Sequence, residues 1–283
     1  MGGLKQSVSH SRAGILDRIS IQHGIVLTQS TYMDKFDRED FKILDCRGQD
    51  KMKLLDRESQ VVYRRAVGAI GWICQVTRPD ISFLHMALAT KSGKATVADA
   101  NKITRLINKL GENRQEIRFH ALGSLDEMQV EGFCDASWAK LEGKETVVGS
   151  LIFLKGSNNK MNILDWKCRK IDIPSASPLA AEGEAALDLY GRVRFYRAML
   201  EEFLRSSKIP VIMYTDNKSL ENAVKTDNGL QDKRTAIAVA TLRRCTEVEN
   251  IAVKWIHGSE QYADILTKEG VDPTNLITLL RGC

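Results

Sequence analysis

The stretch "VEGFCDASWA" at residues 130–139 runs from apolar residues into a carboxylate, Asp135, and then into small residues and a tryptophan. If it ends a strand, Asp135 is either a turn residue or one member of a larger cluster. The surrounding sequence supplies the partners such a strand needs. "MQVEGFCD" (128–135), "VVGSLIFL" (147–154) and "NILDWKCR" (162–169) are short apolar runs separated by polar turns such as "KGSNNK". That pattern predicts a three-stranded antiparallel meander. A long helix is expected from about residue 179 to 204. A buried-type strand "PVIMYTD" (210–216), a helical "NKSLENAVK" and a helix over about 233–248 follow. The strand "NIAVKWI" (250–256) and a last helix from about residue 261 close the series. The order β-β-β-α-β-α-α-β-α predicts an α/β fold, a mixed sheet with helices packed on its faces.

Upstream of residue 115 the texture is different. Residues 20–36 predict a short strand leading into a helical segment. Residues 59–90 are mostly helical in pattern, with Val62, Ala66, Ile70 and Ile73 at steps of three and four. Pro79 breaks that helix within "TRPD", where Asp80 is placed to cap the helix that follows. Arg78 in the same motif is expected to be structural or phosphate-contacting. Thr96 is placed to cap a further helix whose apolar side is Ile103, Leu106, Ile107 and Leu110. The first segment is thus predicted to be mainly α-helical, with apolar faces that would pack on something outside it. The boundary falls near residues 115–127, giving domains of residues 1–120 and 121–283.

A chain of 283 residues has room for one large domain or two ordinary ones. Its 43% apolar and 27% charged residues are a soluble globular composition. No apolar run approaches the roughly 20 residues that cross a bilayer, so no membrane partner is expected. The start "MGGLKQSVSHSRAG" lacks a signal-peptide core, and an intracellular location is expected. Cysteines 46, 74, 134, 168, 245 and 283 show neither C-x-x-C nor zinc spacing, which suits reduced thiols. Dinucleotide and nucleotide-triphosphate binding are disfavoured, because no G-x-G-x-x-G or G-x-x-x-x-G-K-[ST] occurs. Residues 1–120 carry 20 Lys/Arg against 13 Asp/Glu, whereas the remainder carries 21 against 23. A basic first part beside a slightly acidic second suits phosphate gripping in one and metal binding in the other.

Four carboxylates fall at element ends. Asp135 closes the first meander strand and Asp216 closes the fourth. In an open α/β sheet, ligands gather at strand ends. If those two strands are adjacent and parallel, the carboxylates sit side by side and repel unless a cation lies between them. The long helix offers Glu182 or Glu184. Glu182 leads the apolar series Ala186, Tyr190 and Val193, whereas Glu184 lies about 200° around the helix. Glu182 is therefore favoured and Glu184 read as solvated. Asp264 in "QYADILTK" is expected on the first turn of the last helix, where acidic residues also occur for dipole reasons. The four are 47, 34 and 48 residues apart, which leaves room for the intervening elements. Carboxylates with no histidine or cysteine beside them suit Mg²⁺ or Mn²⁺ rather than zinc. Two such ions about 4 Å apart would activate a water and stabilise the leaving oxygen of a phosphodiester.

These motifs resemble the C-terminal part of a Ty1/copia-type retrotransposon polyprotein, the tail of the reverse transcriptase followed by ribonuclease H. "YRRAVGAIGWICQVTRPDISF" resembles that family's "YR…VG…L…TRPDI" block, and "GIVLTQSTYMDKF" the segment after its palm. "CDASWA" is similar to "SDADWAG", and "LDWKCRK" to "WxSKKQ". "AAEGEAAL" stands where "STEAEYxAL" would, "YTDNKS" resembles "CDNxSA", and "VKWIHGSEQYADILTK" resembles "YVPTxxQxADILTK". The resemblance implies a ribonuclease H-like mixed five-stranded sheet with flanking helices, preceded by a thumb/connection-like segment. It implies two-metal cleavage of the RNA strand of RNA–DNA hybrids. Asp135, Glu182, Asp216 and Asp264 would be both the catalytic and the metal-binding carboxylates. It further implies a retroelement particle in the cytoplasm, or a nuclear location.

The departures bear on activity. Ala180 and Ala181 replace the usual serine/threonine pair, and "KRTAIAVA" loses a histidine of "RTKHIDI". No Y-x-D-D occurs, so polymerase palm and fingers would have to come from elsewhere and no DNA synthesis is expected of this chain. His257 reads as a surface loop residue. The competing expectation is a catalytically inactive retroelement remnant that binds nucleic acid.

Overall fold

A computed structural model of the chain describes residues 8–10, 17–21, 24–34, 36, 38–124, 127–138, 145–172, 175–205, 208–226 and 229–281, without side chains at 8–10 and 17–21. Cys283 and most of the N-terminal stretch lie outside the described residues. The chain divides into two compact units, Met1–Phe119 and His120–Cys283.

In the first unit, β1 (Val8–His10), β2 (Asp17–Ile21), β3 (Gly24–Thr28) and β4 (Glu116–His120) form a sheet in that order. Its helices are α1 (Ser30–Asp34), α2 (Arg57–Val76), α3 (Ser82–Ala89) and α4 (Val97–Glu112). The unit is mainly helical as expected, and β3 leading into α1 follows the reading of residues 20–36; the further strands of its sheet are an addition. Strands of three to five residues such as "DRISI" and "EIRFH" are too short and too charged to show a clear alternation. The helices follow their local signals. Asp56 caps α2 by accepting from the Ser59 N–H, and Thr96 with Asp99 forms a capping box on α4. The apolar stripes of α2 and α4 are buried in the unit's own core, around Tyr63, Ile70, Ile103 and Leu110. They do not wait for an outside partner as expected. Nor does Asp80 cap α3. It is held in a bidentate pair with Arg78, which is 3% exposed and also donates to the Asn113 carbonyl. A buried, paired guanidinium favours the structural reading of Arg78 over phosphate contact.

The second unit is built on β5 (Gln129–Ser137), β6 (Val147–Lys155), β7 (Met161–Lys170), β8 (Val211–Thr215) and β9 (Ile251–Trp255). Sheet order is β7-β6-β5-β8-β9. The β5–β6 and β6–β7 pairs are antiparallel, and β5–β8 and β8–β9 parallel. With α5 (Pro178–Leu204), α6 (Lys218–Lys225) and α7 (Lys233–Val248) this is the ribonuclease H-like fold. Alternation along β5 divides the core. Val130 and Cys134 join Leu189 and Val193 of α5 on one side. Phe133 meets Tyr214, Phe153 and Tyr262 on the other, stacked on Tyr214 at 4.9 Å and edge-on to Tyr262 at 5.0 Å. Gly132 lets α5 come close, since a Cβ there would lie 2.9 Å from a Leu189 methyl.

After β9 the expected helix from residue 261 is absent. The backbone instead makes two short 3-10 turns, Gly258–Glu260 and Tyr262–Leu266, before α8 (Thr274–Arg281). Among the described residues, no helix is long and apolar enough to cross a membrane.

Candidate active site

Register brings the first two carboxylates together. Phe133 of β5 pairs in parallel with Tyr214 of β8, so two residues further on Asp135 comes level with Asp216. Asp135 is 1% exposed and lies two residues inside the end of β5 rather than closing it, whereas Asp216 follows directly on β8 and is half-buried. The Trp255 indole donates to the Asp216 carbonyl at 3.0 Å, and Lys218 lies over that indole at 4.2 Å. These contacts hold the backbone that carries Asp216. Asn217 is occupied as the cap of α6, accepting from the Leu220 N–H.

Asp264 arrives on the second 3-10 turn, and three contacts seat that turn. The Gln261 amide donates to the Cys134 carbonyl at 2.9 Å, one residue before Asp135. Tyr262 packs edge-on against Phe133. Gly149, directly across from Asp135 on β6, supplies the space: a Cβ there would stand 2.6 Å from Leu266 Cβ and 2.8 Å from Thr267 Cγ2. Carboxylate oxygens of Asp135, Asp216 and Asp264 consequently lie within 4.8 Å of one another.

Glu182 stands apart from that group of three. It is 7% exposed on the first turns of α5, whose Ser177 cap accepts from the Ala180 N–H. It feels the charges of Asp135 and Asp216. Its Oε2 is buried with no hydrogen-bond partner among the described residues. Burial first, and then Asp135 and Asp216, push its pKa up to about 9. Burial followed by Asp135 also raises Asp216. Burial raises Asp264 as well, against the hydrogen bond from Lys268. Glu184, by contrast, faces outward and pairs with Arg234 at 3.2 Å.

Two residues with no role in the sequence reading enter the site. The Thr267 hydroxyl donates to Asp135 Oδ2. The Lys268 ammonium lies 2.7 Å from Asp264 Oδ1 and 3.4 Å from Asp135 Oδ1. Burial lowers the Lys268 pKa, but the Asp135 charge and the Asp264 bond outweigh it and leave the group above its ordinary value. The signal was present in "DILTK": a lysine four residues after an aspartate can reach back along a turn. His257 is exposed. Its ring accepts from the Ser259 N–H and caps the first 3-10 turn, which accounts for a histidine in that loop.

The donor set is all oxygen and half or more buried, and it includes a carboxylate oxygen without a donor among the described residues. Such a set fits a hard divalent cation, which would relieve both the repulsion and the orphaned Oε2.

No family model matches the chain, and no curated protein does. Among solved structures it is similar to LC11-RNase H1 isolated from compost, at 14% identity and a TM-score of 0.38 over 53% of this chain and 99% of that one. It is similar to RNase H1 of the halophilic archaeon Halobacterium salinarum, at 12% identity and a TM-score of 0.37 over 48% of this chain and 90% of that one. A third is the prototype foamy virus protease-reverse transcriptase, at 16% identity and a TM-score of 0.28, covering 56% of this chain and 21% of that one.

Proposed function

We propose that the second unit is a metal-dependent ribonuclease H that cleaves the RNA strand of RNA–DNA hybrids. The observation that carries this reading is the meeting of three aspartate oxygens within 4.8 Å, beside a buried glutamate whose Oε2 lacks a donor among the described residues. Asp135, Glu182, Asp216 and Asp264 would hold Mg²⁺ or Mn²⁺. Two bound ions would lower the pKa of an attacking water and neutralise charge on the phosphodiester.

The chain's own groups prepare the site. Asp135 is oriented by the Thr267 hydroxyl, and Asp216 by the indole bond to its carbonyl. Burial in the core behind β5 keeps Glu182 out of bulk water, which strengthens its pull on a cation. Hybrid recognition would depend on phosphates and on 2′-hydroxyls, the feature that separates RNA from DNA.

The first unit, residues 1–120, is proposed as the C-terminal thumb/connection-like segment of a Ty1/copia-type reverse transcriptase, with palm and fingers as its partner. Support for this comes from "TRPDISF" and "ADILTK" occurring together in one chain. A retroelement particle in the cytoplasm, or the nucleus, is the matching location.

The test is cleavage of end-labelled RNA–DNA hybrid, RNA duplex and DNA duplex with Mg²⁺ or Mn²⁺. Cleavage confined to the RNA strand of the hybrid and abolished by EDTA is expected. Tight hybrid binding without cleavage by the folded chain would instead favour the inactive nucleic-acid-binding remnant.

A further inference from the structure

This inference rests on the carboxylate cluster being a divalent-cation site. That cluster already contains a cation of the chain's own. The Lys268 ammonium bridges Asp264 Oδ1 and Asp135 Oδ1, and Asp216 also feels its charge. The turn that presents it is well fixed: the Lys268 N–H donates to the Asp264 carbonyl at 3.0 Å, and Thr267 bonds both that carbonyl and Asp135. An ammonium is a compact charge on a flexible stem, with three donors and no acceptor. It can therefore stand between carboxylates much as a small ion does. Its side chain is 29% exposed, so it has a route out to solvent. The opposite flank of the cluster differs. There Glu182 keeps a buried oxygen without a donor among the described residues.

We propose that Lys268 is a tethered counterion on the Asp264 flank of the cluster. One divalent cation would then bind readily through Asp135, Glu182 and Asp216, and a second only by displacing the lysine. The chain thus carries a built-in competitor for its second ion. It keeps the cluster compensated when metal is scarce and sets the ion concentration at which the site becomes complete.

The test is Mn²⁺ titration of the whole chain by calorimetry and by the paramagnetic resonance of free Mn²⁺, for wild type, Lys268→Met and Lys268→Arg. Wild type and Lys268→Arg should bind one ion, with a second at least about tenfold weaker. Lys268→Met should tighten the second step by about tenfold or more, the scale of removing one close charge contact. In EDTA, Lys268→Met should melt below wild type and gain more from added Mn²⁺. Labelling of wild-type lysines with acetic anhydride, read by mass spectrometry, gives a measurement that needs no variant. Saturating Mn²⁺ should increase modification at Lys268. Indistinguishable isotherms for wild type and Lys268→Met, or Lys268 labelling that Mn²⁺ leaves unchanged or lowers, would overturn the counterion and leave the metal site standing. Absence of Mn²⁺ binding in all three proteins would overturn both.

Discussion

Glu182 is electrostatically strained, because it is buried beside two further carboxylates and its Oε2 has no donor among the described residues. Its folded pKa, about 9, lies above the ordinary 4.5. In metal-free protein it therefore favours folding fully below about pH 4.5, and that contribution is lost as pH rises towards 9. The raised Asp216 and Asp264 act in the same direction. Urea unfolding in EDTA should show stability falling by about 2 kcal/mol or more between pH 5 and pH 9, and Glu182→Gln should flatten that slope. A cation requires the ionised carboxylate, so Mn²⁺ binding near pH 7 should release protons. Calorimetry in two buffers of different ionisation enthalpy would detect the release, and Glu182→Gln should reduce it.

At the scale of elements, the site depends on how one short segment lies against one strand. Gly149→Val would drive a side chain into Leu266 and Thr267 and lift the 3-10 turn away from β6. Such overpacking should cost about 1–3 kcal/mol and weaken Mn²⁺ binding, measurable by melting and titration of the same preparation. Gln261→Ala removes the tie to the Cys134 carbonyl and should cost about 1 kcal/mol, with Asp264 less well placed. This region also shows what could be read in advance. The meander was legible because "VVGSLIFL" is long, apolar and bounded by turns. That Glu182 rather than Glu184 lies on the buried face of α5 was legible from helical spacing alone: the first is buried and the second pairs with Arg234. The segment after β9 was not legible. "EQYADILTK" is compatible with a helix, and the 3-10 turn it forms packs into the space left by Gly149, more than a hundred residues away in sequence. In the first unit the strand that leads into α1 was legible in residues 20–36, whereas β1 and β4 were not: three to five residues carry too little periodicity.

For the whole molecule, two compact units divide the chain near residue 120, and the second has a core of its own on both faces of its sheet. Residues 120–283 expressed alone should therefore unfold in one cooperative transition and bind Mn²⁺ as the full chain does. The excess of basic residues in residues 1–120 predicts that the full chain holds hybrid more tightly than that fragment does, with a steeper loss of affinity as salt rises. Fluorescence anisotropy over a salt series would compare the two slopes.

The most direct measurement is Mn²⁺-dependent cleavage of a labelled RNA–DNA hybrid by wild type, Asp135→Asn and Asp216→Asn, each first shown by circular dichroism to be folded. The carboxylate cluster predicts cleavage by wild type and a loss of about a hundredfold or more in each variant. Full activity in either variant would contradict a reaction centred on the β5–β8 pair, and a folded wild-type chain that left the hybrid intact would contradict the enzyme itself.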